Sequence, residues 1–346
     1  MFNPIKTKLI NFSRKLNLTY LPLVFSGELL SDSATHEHLG ITLQRDGGWD
    51  RHISNLIQKC RTLVAVLKTY KYRLSRKSLE IMYKSFILPH FDYADVVWDN
   101  CFAKYANELE ELQLDALRTI TGSVRGTSHV RLYRESGFPP LKERRRRHKL
   151  ILYFKMVNNI TPASTNKHLP PLISDVNPYH RRRPHDRRIP KCRTEQYRSS
   201  FFPSTTKLWN SLPTHIQATK SISQFKHFLQ SNDNTPPPYY YLGDRRMQII
   251  HTKLRLNMSD LNSHLLSRHL TDDPSCACGY HAETPQHYLL HCPIHDAIRA
   301  VTINYLPTDL RTTSILLHGD RNQRIQTNNL VIETVLNFIL MTERFA

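Results

Sequence analysis

The sequence predicts a mainly α-helical protein with a small β part near its N-terminus. Over most of the chain, apolar residues recur at steps of three and four, which is the period of a helix that buries one face. Segments with loose alternation occur near the N-terminus, where residues 7–13 and 38–43 are expected to form strands. Because the chain has only 10 glycines in 346 residues, glycine-rich nucleotide-binding loops are scarce.

Four helices are expected between residues 46 and 160. The first follows the break at Asp46-Gly47-Gly48. Its apolar stripe consists of Ile53, Leu56, Ile57, Cys60, Leu63, Val64 and Leu67. Its opposite face is basic and carries Arg51, Lys59, Arg61 and Lys68.

The second helix is expected to begin after the N-cap residue Ser75 and to end at Pro89. Its inward-facing residues are predicted to be Leu79, Met82, Tyr83 and Phe86. The third covers about 106–120 and ends at Gly122, and the fourth covers about 141–159.

The remaining chain is less regular. Residues 161–198 are rich in Pro, His and Arg, which is typical of a solvated linker or a binding tail. Apolar residues from Phe201 to Leu229 predict renewed packing, and residues 234–238 form a second Pro-rich break. From Tyr239 onward the chain is predicted to be mostly helical, closing with Val331, Val335, Phe338 and Ile339 at helical spacing.

The charge balance favours a polyanionic partner. The chain has 48 Lys and Arg against 29 Asp and Glu, a net charge of +19. Many basic side chains together favour nucleic acid, because phosphate neutralisation releases counterions. A membrane surface would also attract them, but the sequence has no apolar run of about 18 residues and no signal peptide. We therefore expect a nucleic-acid partner, no membrane partner, and an intracellular location in the nucleus, the cytoplasm or both. A soluble protein with a solvated basic face is the alternative.

Three of the six cysteines lie close together and predict a metal site. Cys276, Cys278, His287 and Cys292 follow the spacing C-x-C-x8-H-x4-C. Three thiolates and one imidazole suit a closed tetrahedral site for structural Zn²⁺. Three other histidines are close enough in sequence to replace His287, namely His281, His291 and His295. A reduced cluster without metal, or a disulfide, is the alternative.

Two basic clusters are candidates for phosphate contacts. The first lies in the predicted fourth helix and comprises Arg144, Arg145, Arg146, Arg147 and Lys149. Four successive arginines cannot share one helix face, so some would contact phosphates and others would only be solvated. The second cluster, Arg181, Arg182 and Arg183, lies in the predicted linker.

Tyr93-Ala94-Asp95-Val96 matches only the first three positions of the aromatic-Ala-Asp-Asp signature of polymerases. Phosphoryl transfer with two metal ions requires paired carboxylates, and Val96 replaces the second one. Asp95 is therefore expected to be structural, and no catalytic residue is predicted.

The order of these segments resembles the C-terminal part of LINE-type, jockey-like reverse transcriptases of non-LTR retrotransposons. Residues 2–8 resemble the N-x-x-K-[ST] stretch after the catalytic hairpin, and 38–43 resembles the L-G strand of the primer grip. Residues 49–53 resemble the start of the helical thumb, and Ile87–Tyr93 with Trp98 resembles its I-x-P-x-x-x-Y…W segment. Residues 200–213 with Phe225-Lys226 resemble the post-thumb stretch, and 276–293 resembles the C-terminal zinc knuckle.

The resemblance implies four parts: a palm remnant at 1–45, a helical thumb at 46–160, a basic linker with the post-thumb segment at 161–238, and a helical region with a CCHC knuckle at 239–346. It implies that Lys6 lies near the incoming nucleotide's phosphates. The predicted nucleic-acid-binding residues also include Lys8, Leu39, Gly40, Arg51 and Lys59.

The family's catalytic Asp residues precede the N-x-x-K-[ST] stretch, so a truncated polymerase without its own activity is expected. Mg²⁺ would serve only the full-length enzyme. The implied partners are RNA, DNA or an RNA–DNA hybrid, and another protein encoded by the same element. A zinc-dependent protein-interaction module and a non-functional pseudogene product remain the alternatives.

Overall fold

The structure is a computed structural model that describes residues 7–13, 23–176, 183–230 and 235–346. Helices hold most of these residues, and strands form only two small antiparallel hairpins, which confirms the predicted mainly α fold with a small β part. The first hairpin pairs β1 (Val24–Phe25) with β2 (Glu28–Leu29). The second pairs β3 (Thr35–His38) with β4 (Ile41–Gln44).

The prediction of a single strand over 38–43 is wrong, because the chain reverses direction at Leu39 and Gly40. Both residues have positive φ, 49° and 76°, which is the backbone geometry of a two-residue type I′ turn. The hydroxyl of Tyr93 donates to the Leu39 carbonyl at 2.6 Å and supports the turn. The predicted strand over 7–13 is also not formed, and Leu9 makes only an isolated bridge with Asp32.

The helices of the first half are α1 (Asp50–Thr69), α2 (Arg76–Met82), α3 (Leu88–Asp92), α4 (Asp95–Trp98), α5 (Ala103–Thr121), α6 (His129–Ser136) and α7 (Leu141–Val157). The middle of the chain holds α8 (Ala163–Asn166), α9 (Ile173–Val176), α10 (Glu195–Ser199), α11 (Phe201–Asn210), α12 (Thr214–Ala218) and α13 (Ile222–Gln230). The C-terminal part holds α14 (Arg245–Arg255), α15 (Asn262–Leu266), α16 (Asp296–Ala300), α17 (Thr313–His318) and α18 (Ile325–Thr342). A π-helical turn spans His287–His291, and 3₁₀ turns span Pro238–Tyr241, Pro293–His295, Ile303–Tyr305 and Thr308–Leu310.

Pro89 does not end the second helix, contrary to prediction. After α2 the chain continues through a π-helical turn, Tyr83–Ile87, directly into α3. Proline lacks the N–H that the helix needs and its ring clashes with the preceding turn. A wider turn just before Pro89 accommodates both effects.

The π-helical turn also changes which side chains are buried. Leu79 and Tyr83 are fully buried as predicted, but Phe86 is 62% exposed, so its predicted burial is wrong. An additional residue in the turn rotates the register of the helix, which a regular α-helical pattern does not anticipate. The predicted N-cap is confirmed, since the Ser75 hydroxyl accepts from the Ser78 N–H.

The chain forms two compact units, each built from three stretches. Unit 1 comprises Met1–Thr62, Leu88–Leu112 and Pro140–Asn232, and unit 2 comprises Leu63–Ile87, Gln113–Pro139 and Asp233–Ala346. Helices α1 and α5 therefore contribute residues to both units. The four functional parts predicted from the resemblance stay a prediction.

The core of unit 1 includes an aromatic cluster around α7. Phe154 stacks on Phe225 with ring centroids 4.4 Å apart, and Tyr153 lies 5.5 Å from Trp209. The residues predicted to pack between 201 and 230 all join this cluster. Part of the predicted linker is also fixed, because the guanidinium of Arg187 donates to the Pro170 carbonyl and the Trp209 indole donates to the His185 carbonyl.

The core of unit 2 combines an apolar cluster with a buried charge network. The apolar cluster surrounds α18, whose Val331, Val335, Phe338 and Ile339 are buried as predicted. Close packing is also required at Gly122, where a Cβ atom would lie 2.4 Å from a side-chain carbon of Ile249.

Glu135 is the centre of the charge network. Its carboxylate accepts from Arg76 at 2.7 Å and from Arg255 at 2.6 Å, and all three side chains are almost completely buried. Arg76 also pairs with Glu80 at 3.2 Å, so two cations face two carboxylates. Burial alone would raise the pKa of Glu135, but the charges of Arg255 and Arg76 outweigh it and hold the pKa at about 2. The ionised network therefore persists well into the acid range.

We predict that Glu135→Gln lowers the free energy of unfolding by about 3 kcal/mol at pH 7, because two buried guanidinium groups lose their counter-charge. Urea denaturation measures this, with Glu333→Gln on an exposed position of α18 as the matched control. Since the folded pKa lies below the ordinary value of 4.5, the stabilisation by Glu135 is present above pH 4.5 and is lost as the pH falls toward about 2. A difference between wild type and variant that stays constant over this window would contradict the role of Glu135.

Candidate functional site

The four predicted metal ligands lie together in unit 2. One donor atom each from Cys276, Cys278, His287 and Cys292 lies within 4.8 Å of the others. The sulfurs of Cys276 and Cys292 are 3.7 Å apart, and the Cys278 sulfur is 3.2 Å from Nε2 of His287. The cluster could therefore hold a metal ion.

Local backbone structure produces this arrangement. A tight turn brings the first two cysteines together: the Gly279 N–H donates to the Cys276 carbonyl at 2.8 Å, and Gly279 has a φ of +87° that a larger residue rarely adopts. The π-helical turn His287–His291 then presents His287, and Cys292 follows directly, with its N–H donating to the His287 carbonyl.

Several contacts surround the cluster. Glu283 accepts from both Nε and Nη2 of Arg344 at 2.7 Å, and from the Asn262 N–H at 2.9 Å. Arg299 donates to the carbonyl of Cys292 at 2.6 Å. The Tyr280 ring lies flat on the His287 imidazole, with centroids 4.4 Å apart. The last two contacts position the backbone at Cys292 and one face of the His287 ring.

The donor set fits a tetrahedral ion. Metal–sulfur bonds of about 2.3 Å at a tetrahedral angle place two sulfurs about 3.8 Å apart, close to the separation of Cys276 and Cys292. The sulfur–nitrogen edge would be about 3.6 Å, somewhat longer than the separation of Cys278 and His287. Burial lowers the pKa of His287, so its imidazole is neutral at pH 7, which is the form that coordinates a metal.

The structure also distinguishes the candidate histidines. His287 directs Nε2 at the cysteines, whereas His295 packs edge-on against Tyr288 and Phe338 in the apolar core. His281 packs against Tyr280. Within the described parts of the chain, the group of metal-binding donors at this place contains only His287 among the histidines.

The arginine cluster on α7 lies largely within unit 1. Arg145 is 4% exposed and its Nε is 2.6 Å from Asp99, and the Lys149 amine is 2.5 Å from the same carboxylate. Arg144 makes two hydrogen bonds to Asp92. These contacts favour a structural role for Arg144, Arg145 and Lys149 over phosphate binding.

The other two arginines of α7 pair along their own helix. Arg146 and Arg147 both contact Glu143 at 3.1 Å. Arg183 likewise has protein partners, because it donates to the Leu212 carbonyl at 2.9 Å and faces Asp186. The predicted residues Lys6, Arg181 and Arg182 lie outside the described residues.

Arg51 and Lys59 differ from the α7 cluster because they are exposed on α1. Among the described residues neither has a carboxylate partner, and Arg51 contacts only the hydroxyl of Thr35 through its guanidinium. They are about two turns apart on one helix of unit 1. Lys8, Leu39 and Gly40 are also exposed. Of the predicted nucleic-acid-binding residues that the structure describes, these are the exposed ones.

Asp95 is buried and hydrogen-bonded within unit 1. Its buried carboxylate lies 2.5 Å from Nδ1 of His148, and the hydrogen bond to Asp95 raises the pKa of His148. Asp92, Asp95 and His148 place donor atoms within 4.8 Å of one another, but Arg144 already occupies Asp92. The group therefore differs from the open carboxylate pair of a polymerase.

The sequence does not predict one further feature, an arginine-lined cavity. A cavity in unit 2 brings together Arg131, Arg134 and Arg321, which are separated by up to 190 positions in the chain. No motif marks these residues, because nothing in the local pattern relates α6 to the loop after α17.

Comparison with known proteins gives one partial relation. Over 101 residues the chain is 32% identical to the RNA-directed DNA polymerase from mobile element jockey of Drosophila melanogaster. The match covers 28% of this chain and 11% of that polymerase. No protein-family model matches the chain, and no solved structure gives a significant match. The partial match supports a relation to LINE-type reverse transcriptases.

No helix in the described parts of the chain combines the length and the apolar character needed to cross a bilayer.

Proposed function

We propose that this chain is a nucleic-acid-binding protein of the LINE-type reverse transcriptase lineage, which holds RNA, DNA or their hybrid through the phosphate backbone. The partial match to the jockey polymerase carries this proposal, since that relative is an RNA-directed DNA polymerase. The net charge of +19 supports it, because a polyanion is the partner that such an excess favours. Backbone contacts give affinity with little sequence specificity.

The exposed face of α1 is the part of the described chain we assign to phosphate contact. Arg51 and Lys59 lie on this face, and Arg51 follows the hairpin that carries Leu39 and Gly40. Within the described residues no carboxylate pairs with either of them, in contrast to Arg144 and Arg145, which pair with Asp92 and Asp99. Uncompensated cations release counterions when they meet phosphates, so they contribute most to binding.

We predict that Arg51→Gln/Lys59→Gln weakens binding to a short RNA–DNA hybrid and reduces the slope of log K against log salt by about 2. Fluorescence anisotropy at several salt concentrations measures this. Lys167→Gln/Lys220→Gln removes the same charge from exposed positions of unit 1 and is the matched control. Equal slopes for wild type and the α1 variant would exclude this face as a phosphate-binding surface. If the wild-type chain did not bind the hybrid at low salt, the proposed function would be refuted.

The proposal includes a structural Zn²⁺ at Cys276, Cys278, His287 and Cys292. Three thiolates and one imidazole are a donor set that zinc prefers, and a closed set of four leaves no open position for catalysis. Zinc bound there would join the turn at Gly279 to the π-helical turn and stabilise the fold around both.

We predict that the purified chain carries about one zinc ion, and that Cys276→Ser abolishes zinc binding and lowers Tm. Elemental analysis and thermal unfolding measure the two effects. Cys192→Ser, a free cysteine outside the cluster, is the control and should retain both the metal and the Tm. If Cys276→Ser retained zinc at wild-type stoichiometry, the assignment of this site would be wrong.

We further propose that this chain binds nucleic acid without extending a primer by itself. Asp95 lies in the polymerase-like motif and Asp92 lies just before it. Asp92 is hydrogen-bonded to Arg144, and Asp95 is hydrogen-bonded to His148. Stabilising the transition state of phosphoryl transfer requires metal-holding carboxylates in addition to correct positioning.

We predict no Mg²⁺-dependent primer extension by the purified chain on an RNA template that it binds. Gel analysis of extension products measures this, with an active reverse transcriptase as the positive control. Extension that disappears on removal of Mg²⁺ would contradict this part of the proposal.

A protein-interaction module is the second candidate, favoured by one observation. An apolar groove of about 320 Å³ in unit 2 is lined by Leu63, Val66, Leu67, Tyr70, Met82, Phe86 and Ile87. Exposed apolar surface of this kind often marks a protein interface. Under this alternative, binding to the partner would survive Arg51→Gln/Lys59→Gln.

A further inference from the structure

Unit 2 contains a basic cavity of about 450 Å³ whose lining includes no residue of the metal cluster and none of α1. Four chain segments line it: α6, residues 235–237 with 239–240, the C-terminal end of α14 with the two residues after it, and residues 318–319 with 321. Its size is within the usual range for small-molecule sites. Its lining is strongly basic, with three exposed arginines and one buried arginine.

The floor of the cavity is rigid and electrically neutral. Arg255 donates to Glu135 and to His251, and its guanidinium carbon lies 3.8 Å from the centroid of the Tyr240 ring. The charges of Arg255 and Arg76 are balanced by Glu135 and Glu80. Because every member of this network has a partner, the floor keeps its geometry whether or not a ligand is present.

The rim supplies the uncompensated charge. Arg131, Arg134 and Arg321 are exposed, and among the described residues none of them pairs with a carboxylate. Arg131 donates to the Leu256 carbonyl at 3.3 Å, which fixes its side chain at the cavity and leaves its other N–H groups available. The lining therefore presents three positive charges above a neutral floor, so an anion is the favoured ligand.

The remaining lining residues narrow the class of anion. Burial, assisted by the charge of Arg255, lowers the pKa of His318, so this residue adds no charge at pH 7 and presents a neutral imidazole beside the Tyr240 hydroxyl. The half-buried side chains of Tyr240, Pro236 and Pro237 add apolar surface next to the arginines. Guanidinium groups bind phosphate oxygens in a bidentate manner, and flat apolar surfaces suit a nucleobase or a sugar.

We propose that this cavity binds the phosphate monoester of a nucleotide, either free or at the end of a nucleic-acid strand. Arg131, Arg134 and Arg321 contact the phosphate, and the aromatic and proline side chains contact the nucleoside. A monoester carries close to two negative charges at pH 7 and meets three arginines better than an internal diester, which carries one. The choice of a nucleotide over other phosphate esters rests on the proposed function, whereas the preference for a phosphate monoester rests on the cavity itself.

The test compares binding of three probes to the full chain at physiological salt. The probes are a 5′-phosphorylated oligonucleotide, the same oligonucleotide with a 5′-hydroxyl end, and a 5′-mononucleotide, and O-phosphoserine serves as a competitor without a nucleoside. Arg134→Gln/Arg321→Gln is the test variant, and both positions are exposed, so the fold should be retained. Arg125→Gln/Arg324→Gln removes two exposed charges of unit 2 that do not line the cavity and is the matched control.

We expect the phosphorylated strand to bind at least about tenfold more tightly than the hydroxyl strand, and the double variant to lose this difference. Arg125→Gln/Arg324→Gln should retain it. Binding of the free mononucleotide, weakened in the same variant, would identify the free nucleotide as a ligand too. Its absence, with the strand preference intact, would assign the cavity to strand ends.

Equal binding of the two strands, together with no effect of the double variant on the mononucleotide, would overturn the inference and leave the proposed function intact. O-phosphoserine that competes as well as the mononucleotide would overturn the assignment to nucleotides. If no strand binds but the mononucleotide does, the cavity assignment holds and the proposed function fails.

Discussion

The fold of unit 2 depends on the buried ion pairs that the Glu135 carboxylate makes with two arginines. Glu135 lies on α6 and joins Arg76 of α2 to Arg255 of α14, so three stretches that are far apart in sequence meet at one buried point. Each of these charges would be costly to bury alone, and only their mutual pairing makes the arrangement favourable. This requirement fixes how α2, α6 and α14 pack, and it also builds the neutral floor beneath the arginine-lined cavity.

The distribution of charge shows why composition alone cannot locate a binding surface. The most conspicuous basic run of the sequence lies on α7, and most of its side chains form ion pairs with Asp92, Asp99 and Glu143. Less conspicuous residues, such as Lys59 on α1 and Arg134 on α6, remain exposed without such partners among the described residues. Net charge therefore indicates only which class of partner would be favoured, whereas the positions of the carboxylates decide which cations a ligand could reach.

Features encoded in neighbouring residues could be predicted, and those encoded across the chain could not. The helical stripe of α1, the N-cap at Ser75 and the C-x-C-G turn are local patterns, and all three are present. The sequence predicts a strand through Leu39, because leucine gives no sign of a positive φ, and the π-helical turn before Pro89 follows no regular period. Pairing of Glu135 with Arg255 spans 120 positions and leaves no trace in a single sequence.

The π-helical turn at Tyr83–Ile87 has a consequence for how the gene can vary in length. Inserting one more residue there would exceed the single extra residue that a π-helical turn holds, and every later side chain of the helix would rotate by about 100°. Leu88 and Phe91 would leave their buried positions, whereas a change of length in the loop around Gly126, where a Cβ atom meets nothing within 4 Å, would disturb little. If related sequences keep the length of this helix but vary in length around Gly126, they have been selected for a folded protein. If they vary in length equally at both places, they have not been under such selection.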